Sequence, residues 1–267
     1  MRRLYLLCSL PLIFSAVVLQ AQLYSAEQIE VAPPAPRVDA PSPTATVADL
    51  EKRGDELRAI KDYLDAIDYF QAALNKDPRN AVIENKLGLS YLAMQKYALA
   101  GKCFRNATRM DRNYAEAYNN LGAIYYFQKS YAKAIRQYET AIKLRPESAT
   151  FYGNMGAAYF AKKQPEQAMI AYIHALQLDP EVLGHSSRVG IAGQVTPQEE
   201  RAFYDYIVAK AYAKLGLLDL SLQHLRKAME EQYKDIDKVY KDSEFATLRK
   251  DPRFNDLMTN KPPVIPD

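Results

Sequence analysis

The sequence predicts an all-α fold, an array of stacked helical hairpins, and three observations carry that prediction. Sliding the chain against itself by 34 residues aligns four windows without a gap, 47–80, 81–114, 115–148 and 149–182. Small residues recur at fixed places in them: Gly54, Gly88, Gly122 and Gly156 at position 8, Ala66, Ala100, Ala134 and Ala168 at position 20, and Ala73, Ala107, Ala141 and Ala175 at position 27. Apolar residues elsewhere follow helical spacing, and no stretch alternates as a strand does.

Each window reads as two helices. Positions 4, 7, 8 and 11 (Tyr118, Leu121, Gly122 and Tyr125 in the third) lie at i, i+3, i+4 and i+7, one apolar stripe on a first helix. Positions 20, 24 and 27 make the matching stripe on a second, with Phe70, Phe104, Tyr138 and Tyr172 at position 24. The glycine is expected to face an alanine and to bring the two backbones close. Pro78, Pro146 and Pro180 at position 32 end the second helix; the second window has Arg112 there instead. Such a hairpin cannot bury its own stripe, so hairpins must stack, and stacking makes a curved array with a concave face.

These residues resemble the tetratricopeptide repeat (TPR) family. The resemblance implies a right-handed α-solenoid and a function in protein–protein interaction. The first repeat departs from the pattern at Arg53 and Leu57 and is expected to be the least regular, as a terminal cap. A fifth repeat is expected over 202–235, where Ala209, Tyr212, Ser221, Leu225 and Ala228 occupy the signature places. Residues 236–260 are expected to form capping helices, with Ser243 as a cap and Pro252 opening the last, followed by a tail over 261–267. An inserted loop over 183–201, with Gly184, Gly190 and Gly193, separates the fourth and fifth repeats; it is either a tolerated surface loop or a functional one.

The beginning of the chain reads differently. Residues 1–21 combine a basic start with the apolar run LYLLCSLPLIFSAVVL and read as a secretory signal cleaved near Ala21, with an uncleaved inner-membrane anchor as the alternative. A twin-arginine signal ranks below the general export route. Residues 22–46 carry Pro33, Pro34, Pro36, Pro41 and Pro43 and read as a disordered, semi-extended linker. The protein is thus expected in the periplasm or cell envelope. Cleavage would remove Cys8 and leave Cys103 alone, so no internal disulfide is possible. Removing Arg2 and Arg3 leaves basic and acidic residues nearly equal, which argues against a nucleic-acid partner.

Little in the sequence points to catalysis. His174 and His224 read as ordinary helix residues, and Cys103 as a small buried hydrophobe. There is no zinc-ligand spacing and no phosphate-binding glycine loop, so no metal or cofactor is expected and the chain reads as a non-enzyme. The rival is an enzyme with a site in 181–200 using His185.

The second stripe of the first helices is more informative. Asn120 and Asn154 sit at position 6 of consecutive repeats, with Asn85 and Asn119 one place earlier in theirs. By the resemblance this stripe lines the concave surface, and the partner groove is expected to comprise Asn85, Leu89, Asn119, Asn120, Tyr126, Phe127, Asn154, Phe160 and Tyr206. Amides can bond to any peptide main chain, and aromatics supply contact area. For Phe127 and Phe160 burial under the next repeat is an equal alternative. The basic clamp with which some members hold acidic chain ends is missing, since Glu51, Asp55, Thr150 and Asn154 stand at its places.

Overall fold

A computed structural model describes residues 40–183 and 198–264. The leader over 1–21, most of the linker, His185, the centre of the insertion and the last three residues lie outside them. Among the described residues ten helices form five hairpins: α1 (Val47–Ala59) with α2 (Tyr63–Lys76), α3 (Ala81–Ala93) with α4 (Tyr97–Met110), α5 (Ala115–Phe127) with α6 (Tyr131–Leu144), α7 (Ala149–Ala161) with α8 (Pro165–Leu178), and α9 (Gln198–Lys214) with α10 (Leu218–Glu230). The described residues contain no strand.

Local chemistry sets the helix ends. Thr46 and Asp49 form a capping box at α1, Asp62 caps α2, and Asn80 caps α3. The first four second helices end with the backbone N–H of Asp77, Asp111, Arg145 or Asp179 bonded to the position-27 alanine carbonyl, each at 2.9 Å. Proline follows in three of these turns. Where Arg112 replaces it, the N–H of Asn113 donates to Asp111 Oδ1 at 2.8 Å, and this side-chain turn does the proline's work. The turn inside each hairpin needs a left-handed residue, found at Lys61, Gln95, Lys129, Lys163 and Gly216. Only the fifth repeat uses glycine, although a non-glycine residue there costs about 1 kcal/mol.

The packing of each hairpin corrects one expectation. The position-8 glycine faces the position-24 ring, not an alanine. A Cβ on Gly54, Gly88 or Gly122 would lie 2.6 Å from Cε1 of Phe70, Phe104 or Tyr138, and one on Gly156 would lie 2.4 Å from that atom of Tyr172. All four rings are fully buried. The fifth repeat solves the same problem from the other side, with Ala209 at position 8 and the smaller Leu225 at position 24, both fully buried.

Three further expectations change. The first repeat is as regular as the others, its helices having the same 13 and 14 residues as those of the next three, because Leu57 fills the tyrosine's place completely buried. The last residues of the expected loop are helical, α9 starting at Gln198. The C-terminal segment is mostly 3-10 turns, over Ile236–Tyr240, Ser243–Phe245 and Leu248–Lys250, followed by α11 (Pro252–Thr259). Ser243 begins a turn instead of capping it, while Asp251 caps α11 by accepting from Arg253 N.

Gly122→Ala should lower stability by about 1–3 kcal/mol, because the added methyl must displace the Tyr138 ring. Adding Tyr138→Leu, the combination the fifth repeat uses, should recover part of the loss in a denaturant-unfolding double-mutant cycle; additive losses would contradict the ring-on-glycine account.

Candidate functional site

The first helices lie side by side along one face, and polar residues join each of the first four to its neighbour. The rule at the central seams is that position 6 reaches back to position 5 of the preceding repeat. Asn120 Nδ2 donates to Asn85 Oδ1 at 2.9 Å, and Asn154 Nδ2 donates to Asn119 Oδ1 at 2.9 Å. Within α5, Asn119 Nδ2 donates to Asn120 Oδ1 at 3.3 Å, and Asn85 Nδ2 reaches the Tyr114 hydroxyl at 3.3 Å. The four amides form one continuous chain across three repeats.

A charged rung extends this chain at its first end, and another stands at the far end of the array. At the first seam Lys86 Nζ donates to Glu51 Oε1 at 2.6 Å and to Asp55 Oδ2. Burial alone would lower the Lys86 pKa, but the two carboxylates outweigh it and hold the ammonium above its usual value. At the far end the signs are reversed. Lys210 Nζ lies 2.8 Å from Asp242 and 3.4 Å from Glu244, and the Tyr206 hydroxyl donates to Asp242 at 2.8 Å. Asp242 and Glu244 belong to the C-terminal segment, which therefore stands where a sixth repeat would place its first helix. Between the fourth and fifth repeats the corresponding places hold Gly153 and Ile207; a Cβ on Gly153 would meet only the Leu183 side chain, at 3.7 Å.

The nine expected groove residues separate into two groups. Asn119, Asn120, Asn154, Leu89, Tyr126 and Phe127 are half-buried along the seam, where Tyr126 and Phe127 form an aromatic run with Tyr97 and Tyr131 at ring separations of 5.1–6.2 Å. Burial, with Tyr131 beside it, pushes the Tyr126 phenol up to about 12. The other three are covered. Asn85 is 4% exposed beneath the ladder, and Phe160 packs on Phe203 and Tyr204. Tyr206 is 2% exposed under the C-terminal segment. For Phe160 the covering repeat is therefore the observed alternative, and Tyr206 closes the end of the face instead of lining it. Exposed Val82 and Thr150 and half-buried Glu116 extend the accessible part.

Two buried polar pairs inside hairpins were not legible. His224 Nδ1 and Asp205 Oδ1 are 2.6 Å apart in the fifth repeat, with the imidazole stacked on Tyr212. In the second repeat Glu84 accepts from Asn106 Nδ2 at 2.9 Å and faces the buried Cys103 thiol. Asp205 with His224 and Glu84 with Cys103 both join position 4 to position 23, a correspondence visible only once the hairpin is closed. Burial, reinforced by Glu84, pushes the Cys103 thiol up to about 12, so it is un-ionised and inert at neutral pH.

Hairpins in register, a ring on a glycine in four of them and a polar seam along one face define the protein as a helical-repeat scaffold. Two family models match the chain: a TPR repeat model over residues 88–129 and 124–163, and a tetratricopeptide repeat model over 149–182. Over residues 88–182 the chain is thus similar to TPR repeats. Among solved structures it is similar to MamA (23% identity, covering 74% of this chain and 95% of that one, TM-score 0.50). It is also similar to MamA 41-end from Desulfovibrio magneticus RS-1 (17%, covering 73% and 97%, TM-score 0.51) and to a thermophilic TPR protein in Thermus thermophilus (18%, covering 80% and 100%, TM-score 0.50). At such identities these likenesses speak for the fold alone. No curated protein matches the chain.

The last rung carries a pH dependence. Burial raises the Asp242 pKa, but the hydrogen bonds from Lys210 and Tyr206 outweigh it and bring the carboxyl below its ordinary value. A carboxyl lowered by folding contributes stability that is complete above its unfolded pKa of about 4 and is lost as pH falls through the folded value. Hydrogen exchange over 236–259 should therefore accelerate below about pH 4. Asp242→Asn should show faster exchange already at neutral pH and little further acid dependence.

Proposed function

We propose that this chain is an exported protein-binding scaffold of the cell envelope, most suited to the periplasm, whose concave seam holds an extended peptide segment of a partner protein. The observation that carries the proposal is the asparagine ladder. Asn119, Asn120 and Asn154 each use one N–H on another asparagine and keep a second N–H, together with carbonyl capacity, for another bond. The side chains are already fixed by one another, so a bound peptide gains hydrogen bonds without ordering them first. Val82, Leu89, Tyr126 and Phe127 flank the ladder with apolar and aromatic surface suited to side-chain contact.

Export is supported by the leader sequence. Among the described residues no helix is long and apolar enough to cross a membrane. The reading is of a non-enzyme, since rigid helices carrying paired amides supply positioning and no chemistry.

Partner capture from an envelope extract on immobilised protein tests the groove. Replacing Asn119, Asn120 and Asn154 by alanine should lower capture at least about tenfold, given roughly 1 kcal/mol for each lost hydrogen bond. Ile135→Val, a core change away from the seam, controls for lost stability, and capture unchanged by the triple replacement would sink the proposal. The amino-terminal residue of protein purified from cells tests export separately. A start near Gln22 is the expected result; an intact leader would replace cleavage by anchoring.

A further inference from the structure

The repeats present two edges, one formed by the turns inside the hairpins and one by the turns between them. The inner-turn edge combines two features. It carries Lys61, Lys96, Lys129 and Lys162, one from each of the first four turns, all exposed and none in an ion pair within the described residues. Beside them, large apolar side chains are open to solvent: Ile60 is 73% exposed, Leu64 46% and Leu99 43%. Lys61 and Lys129 occupy the left-handed position for which glycine is the strain-free residue. The carboxylates nearby are already engaged or few: Asp55 pairs with Arg58 and Lys86, Asp62 caps α2, Glu200 pairs with Lys163, and Glu166 and Asp219 lie in the first turns of α8 and α10.

We infer that this edge docks on an anionic phospholipid surface, the lysines lying at the headgroups and Ile60, Leu64 and Leu99 entering the interface. Lysines alone would suit any polyanion. The exposed aliphatic residues beside Lys61 and Lys96, in the first two repeats, select lipid, because a nucleic acid offers nothing apolar at its phosphates, whereas a bilayer interface rewards both groups together. The inference is independent of the proposed groove, which runs along the first helices, and the two can fail separately.

The test uses the full chain with Cys8→Ser, so that the inert Cys103 is the only native thiol, and an environment-sensitive fluorophore on Leu64→Cys. A second protein carries the label on Asn113→Cys, exposed on the opposite edge. Whatever brings the chain to a vesicle, the label reports which edge meets lipid. With phosphatidylglycerol–phosphatidylcholine vesicles the label at 64 should shift to the blue and the label at 113 should not; pure phosphatidylcholine should shift neither. Lys61→Gln, Lys96→Gln and Lys129→Gln together should abolish the shift or require about 100-fold more lipid, each lysine near an anionic surface being worth about fivefold. Glutamine already stands in this backbone conformation at Gln95, so the variant keeps the fold. No shift at 64, equal shifts at both labels, a shift undiminished in the glutamine variant, or a shift produced by duplex DNA in place of vesicles would each overturn the inference.

Discussion

The structure depends on an aromatic ring lying against a helix that has no side chain there. In four hairpins the position-24 ring occupies the volume that a Cβ at position 8 would claim, at 2.4–2.6 Å. A ring held in a close-packed core cannot relieve such a clash while the helices stay at that separation, so glycine and ring together set the distance between the two helices. Buried area follows from it. Tyr138, for example, also packs against Ala158 of the next hairpin and so ties one repeat to the following one. The fifth repeat obeys the same volume constraint with Ala209 and Leu225, which shows that the sum of the two side chains is held, not the identity of either.

Once that separation is fixed, the seam between first helices follows. Adjacent first helices meet at hydrogen-bond distance through ammonium and carboxylates at one end and amides in the centre, and the last of them meets the C-terminal segment through the reverse charges. The ionic rungs stand where a partly exposed pair supplies orientation at little net energy. The C-terminal segment ends the array without repeating it: Asp242 and Glu244 answer Lys210, and Phe245 is buried under Tyr206, so the last apolar face is covered by 3-10 turns instead of a sixth hairpin.

The seam of first helices and the inner-turn edge divide the surface. The seam is rigid, its polar groups locked to one another, and it offers amides with capacity to spare. The edge is made of turns that hold lysines in a backbone state glycine would adopt more easily. An array of this kind can present one surface to a peptide and another to a second surface without either changing the other, because each repeat is braced only by its neighbours.

Read alone, the sequence specifies the period, the helical hairpins, their ends and most of the core. All of these follow from local rules: helical spacing, proline and Asx turns, and small residues at fixed intervals. It also singled out the asparagines, since an amide repeated at 34 residues has no role in a single apolar stripe. What those amides touch was decided by tertiary structure alone. Asn120 meets Asn85, and Asn154 meets Asn119, only because stacking slides adjacent helices into that register, and the ring-on-glycine contact needs the hairpin closed before it exists. The same holds for Asp205 with His224 and for Tyr206 beneath Asp242, partners 19 and 36 residues apart whose pairing no periodicity encodes. Spacing along one helix fixes which face a residue takes; which residue it faces is set by the packing of another.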